Sequence, residues 1–160
     1  MTASLLFAKQ GAFFMDALEI LKSDHERILD LFQQLQTAQT ENRQKTLYSQ
    51  IKAEFDVHAY LEETVFYPPF QRFDETRSLV ANCFDEHKGI HKKFFEIDQI
   101  REHLEEFKAH TDELKKEFQT HFNREEEELF PHVRKLMRRP EREQLGRHLL
   151  AARQEREIAA

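Results

Sequence analysis

An all-α fold, an up-down-up-down four-helix bundle with a short extra C-terminal helix, is what this sequence predicts, and three observations predict it. Gly and Pro are scarce, three and four in 160 residues, while the helix formers Ala, Leu, Glu, Lys, Arg and Gln abound. Four long segments carry apolar residues at helical spacing and are joined by short polar links. The chain also repeats itself: residues 51–68 (IKAEFDVHAYLEETVFYP) and 114–131 (LKKEFQTHFNREEEELFP) share seven of eighteen positions without a gap.

The first helix is expected from about Asp16 to Thr37, on the stripe Leu18, Leu21, Ile28, Leu31, Phe32 and Leu35. The second runs from about Asn42 to Tyr67, where Pro68-Pro69 stops it, because Pro lacks the N–H a helix interior needs. The third spans about Glu75 to Leu104 through Leu79, Phe84, Ile90, Phe94 and Ile97. The fourth spans about Phe107 to Met137 through Leu114, Phe118, Phe122, Leu129 and Phe130, with a kink or break at Pro131. A fifth, charge-rich helix from Pro140 to about Ile158 packs outside the bundle. Residues 1–14 are expected to be a loosely ordered extension, 15–138 the bundle and 139–160 the helix on or beside it. Lys9, Gln10 and Gly11 interrupt the apolar N-terminus and no clear cleavage site follows, which argues against a signal peptide; Met15 can serve as an alternative start.

Bulk composition narrows the function. Charged residues make up 34% with the signs interspersed, and the net charge is −6, so neither nucleic acid nor a membrane surface is an expected partner. A single cysteine, Cys83, excludes an internal disulfide framework and fits a reducing, cytoplasmic setting. No stretch approaches a membrane span. No Gly-rich phosphate loop or serine nucleophile motif is present.

The repeat carries the chemistry. His58 precedes Glu62 by four residues and His121 precedes Glu125 by four. Four residues advance a helix by about 400°, so each imidazole and carboxylate emerge on one face, where they can grip one ion. The odd-numbered helices repeat as well: DHERILDLF at 24–32 aligns with EHKGIHKKF at 86–94, placing His25 over His87. His91 stands where the first half has Leu29. Five imidazoles (His25, His58, His87, His91, His121) and two carboxylates (Glu62, Glu125) suit iron, manganese or zinc without thiolate. If both carboxylates and a solvent-derived oxo or hydroxo group bridge two metals, three His saturate one metal. Two His then leave the other with an open position for a small ligand.

The segments DALEILKSDHERI, HAYLEETVFYP, EHKGIHKKF and HFNREEEELFP together resemble the hemerythrin-like family, in its bacterial HHE cation-binding branch, over about Asp16 to Met137. The resemblance implies a four-helix bundle around a non-haem centre of two iron ions. It implies His25 and His58 on one iron, His87, His91 and His121 on the other, and Glu62 and Glu125 as bridges. The oxygen carriers of the family place their last bridge, an Asp, five residues after its His, where this chain has Glu126. The four-residue spacing of the first copy favours Glu125.

The expected activity is binding of dioxygen, peroxide or nitric oxide, in oxygen binding or in the response to oxidative or nitrosative stress. An electron-transfer partner and a homodimer through the fifth helix are compatible with it. The alternatives are a partner-binding helical module with a structural metal, and a di-zinc hydrolase; whether the chain is an enzyme is open at this level. His103, His110, His132 and His148 are expected to face solvent or hydrogen-bond locally, and Glu63 and Glu126 to flank the centre or the surface. Cys83 is read as a buried inert thiol, with a redox-responsive thiol as the sharper alternative.

Overall fold

A computed structural model describes residues 15–159; the expected N-terminal extension lies outside them. The chain is all-helical, with no strand among the described residues. Helix α1 (Ala17–Thr37) begins at Asp16, whose carboxylate accepts from the Leu18 N–H at 3.0 Å while the Glu19 carboxylate accepts from the Asp16 N–H at 3.2 Å. This reciprocal cap satisfies two of the N–H groups that a helix start leaves unpaired. Helix α2 (Glu41–Leu61) is capped by the Thr40 hydroxyl, and α3 (Asp74–Gln99) and α4 (Leu104–Arg124) follow as the second antiparallel pair.

Both even-numbered helices end in a widened turn rather than running on to their prolines. After α2, residues Glu62–Phe66 form a π-helical turn, followed by a 3-10 turn at Pro68–Phe70. After α4, Glu125–Leu129 form the equivalent π turn and α5 (Phe130–Leu136) continues beyond it. The break expected at Pro131 therefore starts six residues earlier, at the carboxylate of the motif. A proline ring collides with the carbonyl four residues back and offers no N–H. An i→i+5 turn just upstream loosens the ladder where that collision would fall. The Tyr67 N–H accordingly donates to the Glu62 carbonyl at 2.7 Å.

The core is two apolar plugs with a polar layer between them. One plug holds Ile28, Phe55, Ile90, Phe94 and Phe118, and the other holds Leu21, Leu61, Cys83, Leu129 and Phe130. Helices α1, α2 and α3 each pass from one plug to the other with the histidine at the crossing: His25 between Leu21 and Ile28, His58 between Phe55 and Leu61, His87 between Cys83 and Ile90. Helix α4 carries His121 between Phe118 and Phe122 and reaches the second plug through Leu129 of its π turn. Helix α6 (Arg139–Ala159) lies against α1, α2 and the first π turn, burying Leu145 and Leu149. Gly146 permits the approach, since a Cβ there would sit 2.3 Å from the Met15 carbonyl oxygen. Arg142 secures the contact by donating to Asp16 at 2.7 Å and to the Met137 carbonyl at 2.8 Å. No helix among the described residues is long and apolar enough to cross a membrane.

Candidate metal centre

The polar layer brings together His25, His58, His87, His121, Glu62 and Glu125, each no more than 1% exposed. Their ligand atoms form two groups. His25, His58, Glu62 and Glu125 make the first, and Glu62, His87 and His121 the second. In the first, His25 Nε2 lies 3.1 Å from Glu125 Oε2 and His58 Nε2 lies 3.2 Å from Glu62 Oε1. In the second, His87 Nε2 lies 3.2 Å from Glu62 Oε2 and 2.9 Å from His121 Nε2. Glu62 thus turns one oxygen to each histidine pair, as a carboxylate shared by two ions does.

Four of these buried atoms, His25 Nε2, His58 Nε2, Glu62 Oε1 and Glu125 Oε2, make no well-formed hydrogen bond and meet one another only as ion-pair contacts. An unsatisfied buried polar group costs about 1–3 kcal/mol, and more if charged. Four of them converging on one point fit a cation, and the nitrogen and oxygen donors suit iron, manganese or zinc.

A carboxylate faces the far nitrogen of every imidazole. Nδ1 lies 2.8 Å from Glu126 for His25, 2.8 Å from Glu63 for His87, 3.0 Å from Glu86 for His121 and 3.4 Å from Asp24 for His58. The four contacts obey the internal repeat, since Glu63 and Glu126 each follow a central glutamate while Asp24 and Glu86 each precede a histidine. An Nδ1–H donated outward leaves the Nε2 lone pair pointing inward, the arrangement metal-binding histidines use. Asp24 is itself held by Arg27 at 2.5 Å and by Arg153, and Glu86 by Arg124 at 2.6 Å.

Electrostatics follow from this packing. Burial opposes charge on His25, but the carboxylates of Glu125, Glu126 and Glu62 outweigh it and raise its pKa to about 10. Burial likewise opposes ionisation of Glu62, yet the surrounding imidazoles hold its carboxyl well below the usual range. For the Tyr67 phenol, burial and the two central carboxylates act together and push it well up, so it is a neutral donor.

That phenol was not singled out by sequence reasoning. Tyr67 is fully buried and lies 2.7 Å from Glu125 Oε1, 3.0 Å from Glu62 Oε2 and 3.4 Å from His87 Nε2. Five residues in an α-helix would carry it off the Glu62 face; the i→i+5 turn returns it there. The repeat held a signal, because Tyr67 aligns with Phe130, which has no hydroxyl.

His91 requires a correction. It does not join the layer: its side chain is 48% exposed, its Nδ1 is 3.8 Å from Asp56, and its ring packs on Phe55 at 5.1 Å. Ile90 and Phe94 take the inward positions of α3 at that level, which leaves His91 on the rim. The two halves of the centre differ through Tyr67 rather than through a fifth imidazole. Glu125 is in the layer, and Glu126 supports His25 from the side. Cys83 is buried beside His121 and Glu86, and burial lifts its thiol to about 11.

The model of the hemerythrin HHE cation-binding domain matches the chain twice, over residues 16–93 and 78–159. This chain belongs to that family. The first match runs from α1 into α3, and the second from within α3 to the end of α6. Among curated proteins, the HHE chain is 26% identical over 142 residues to a protein named DNA nickase from Nostoc sp.. The match covers 87% of this chain but 39% of that relative. No solved structure matches the HHE chain.

Proposed function

We propose that this HHE protein binds two metal ions, iron in its working state, between His25, His58, His87, His121, Glu62 and Glu125, and that the loaded centre binds a small exogenous ligand such as dioxygen, peroxide or nitric oxide. The observation that carries this is Glu62, whose two oxygens address two separate histidine pairs inside a layer of unpartnered buried donors. The metal ions supply Lewis acidity and, as iron, redox capacity. The protein's own part is orientation and exclusion of water. Carboxylates on each Nδ1 aim the imidazoles, and apolar plugs above and below keep the layer dry. Tyr67 shares its single O–H between one oxygen of each central carboxylate and so fixes both in place on the His87–His121 side.

Metal analysis with a visible and near-ultraviolet spectrum, on protein reduced and then exposed to air, tests the reading. Two irons per chain and bands that shift on adding azide or oxygen support it. Zinc, or no metal after iron-replete expression, would move the reading to a hydrolytic or structural role. Retained fold and partner binding without metal would favour the interaction module. The relative's name suggests phosphodiester cleavage, but the chain spans 39% of that protein, and a net charge of −6 with the signs interspersed does not favour a phosphate backbone. Supercoiled plasmid incubated with the metal-loaded chain is expected to stay intact.

A further inference from the structure

Helix α6 borders a cleft between α1 and α2, and that cleft has a residue of the polar layer in its wall. Its volume is ≈ 370 Å³, and its lining includes Asp24, Glu54, His58, Arg153 and Glu157. The cleft between α3 and α4 differs. It is lined by none of the layer's histidines or central glutamates, and Lys92, Lys93 and Lys116 balance its three glutamates.

Helical spacing sets the chemistry of the α1–α2 cleft. Glu54 stands one turn before His58, and Glu157 one turn after Arg153, so each carboxylate shares a helix face with a residue deeper in the cleft. Asp24 joins them from α1. Three carboxylates against two guanidiniums, Arg27 and Arg153, leave the lining with a negative balance, which draws cations toward it. Carboxylate oxygens are also suitable transient ligands for iron or manganese.

His58 is the partition between this cleft and the layer. Its Nδ1 faces Asp24 at 3.4 Å on the cleft side, while its buried Nε2, which makes no well-formed hydrogen bond, faces Glu62 at 3.2 Å. Asp24 holds the partition, and two arginines hold Asp24. Arg27 donates to one oxygen at 2.5 Å, and Arg153 donates to the oxygen that meets His58. Arg27 belongs to α1 itself. Arg153 comes from α6, and its Nε is buried without a hydrogen bond, so its recorded partner at this end of the cleft is Asp24.

We propose that the α1–α2 cleft is the route by which a metal cation enters and leaves the layer, and that Arg153 is the latch on it. Glu54 and Glu157 collect the cation at the mouth, and Asp24 receives it at the inner end as Arg153 lets go. Without Asp24 on its Nδ1, the His58 side chain is free to turn and open the way to Glu62. This rests on the metal-centre reading above, so its test must tell altered loading from absent binding.

In the experiment, metal-free full chain is mixed by stopped-flow with Co(II), whose visible bands report binding, and the loaded chain is then mixed with a chelator to follow release. Arg153→Gln removes the latch and a positive charge from the inner end of the route, so loading and release should both quicken about tenfold. Glu54→Gln combined with Glu157→Gln changes two exposed side chains, which leaves the fold intact. Loading should slow about tenfold at low ionic strength, and added salt should close the gap. Final Co(II) content should match the parent in every variant, because no layer residue is altered. Lys116→Gln, in the α3–α4 cleft, should load at the parent's rate. Loading rates that ignore both the Arg153 and the glutamate changes, or that respond equally to Lys116→Gln, would overturn the route. If the parent takes up no Co(II) at all, the metal-centre reading falls and the route falls with it.

Discussion

At the scale of residues, the centre divides into atoms that point inward and atoms that aim them. The inward set contains His121 and Glu62 but not the rim residue His91, so His91→Ala should retain the full metal content while His121→Ala and Glu62→Ala lose it; elemental analysis after gel filtration separates the three. The aiming set is Asp24, Glu86, Glu63 and Glu126. Replacing Asp24 by Asn or Glu86 by Gln should weaken metal binding about 10- to 100-fold with the fold intact, read by competition with a chromophoric chelator. Tyr67→Phe removes the donor shared by Glu62 and Glu125 while keeping the ring, which the equivalent Phe130 shows the fold accepts. Metal stoichiometry should hold, the visible spectrum should shift, and metal-free stability should fall by about 1–3 kcal/mol, measured by urea denaturation.

At the scale of elements, the two π turns and α6 do the positioning. Each π turn begins at a central glutamate and ends just before a proline, so one local irregularity both relieves the proline and sets the phase of the next residues. In the first turn that phase brings Tyr67 inward. Helix α6 reaches the centre indirectly, through Arg153 on Asp24, and its seat depends on Gly146. Gly146→Ala would gain about 1 kcal/mol of helix propensity. It would also drive a Cβ to 2.3 Å from the Met15 carbonyl, an overpacking that costs about 1–3 kcal/mol. A lowered melting temperature and faster proteolysis of α6 are the expected outcome, followed by circular dichroism and limited trypsin digestion.

At the scale of the molecule, metal binding and folding are linked. A charged polar layer between two apolar plugs is held against its own burial, so removing metal should lower the melting temperature, and restoring it should raise it with the logarithm of the free metal concentration once the site is saturated. Protonation sets the pH dependence. With its pKa raised to about 10, the His25 imidazole of metal-free protein carries a proton at neutral pH, and a metal can use Nε2 only after that proton leaves. Loading should therefore release protons, and apparent affinity should rise as pH rises toward 10 and fall on acidification. Calorimetric titration in two buffers of different ionisation enthalpy measures the number released.

The sequence by itself determined the helical bundle, its duplication and the candidate ligands His25, His58, Glu62, His87, His121 and Glu125, because periodic apolar residues and an i, i+4 pair are properties of a single helix that need no partner to be read. The sequence-level reading also included His91, which shares the i, i+4 relation with His87 but not its depth. Depth was decided by tertiary structure, through Ile90 and Phe94 claiming the interior of α3 at that level. The same holds for Tyr67, whose inward position depends on a turn that departs from α-helical phase. Side-chain period is a local quantity; which side of a helix is covered, and by what, is set only when the helices meet.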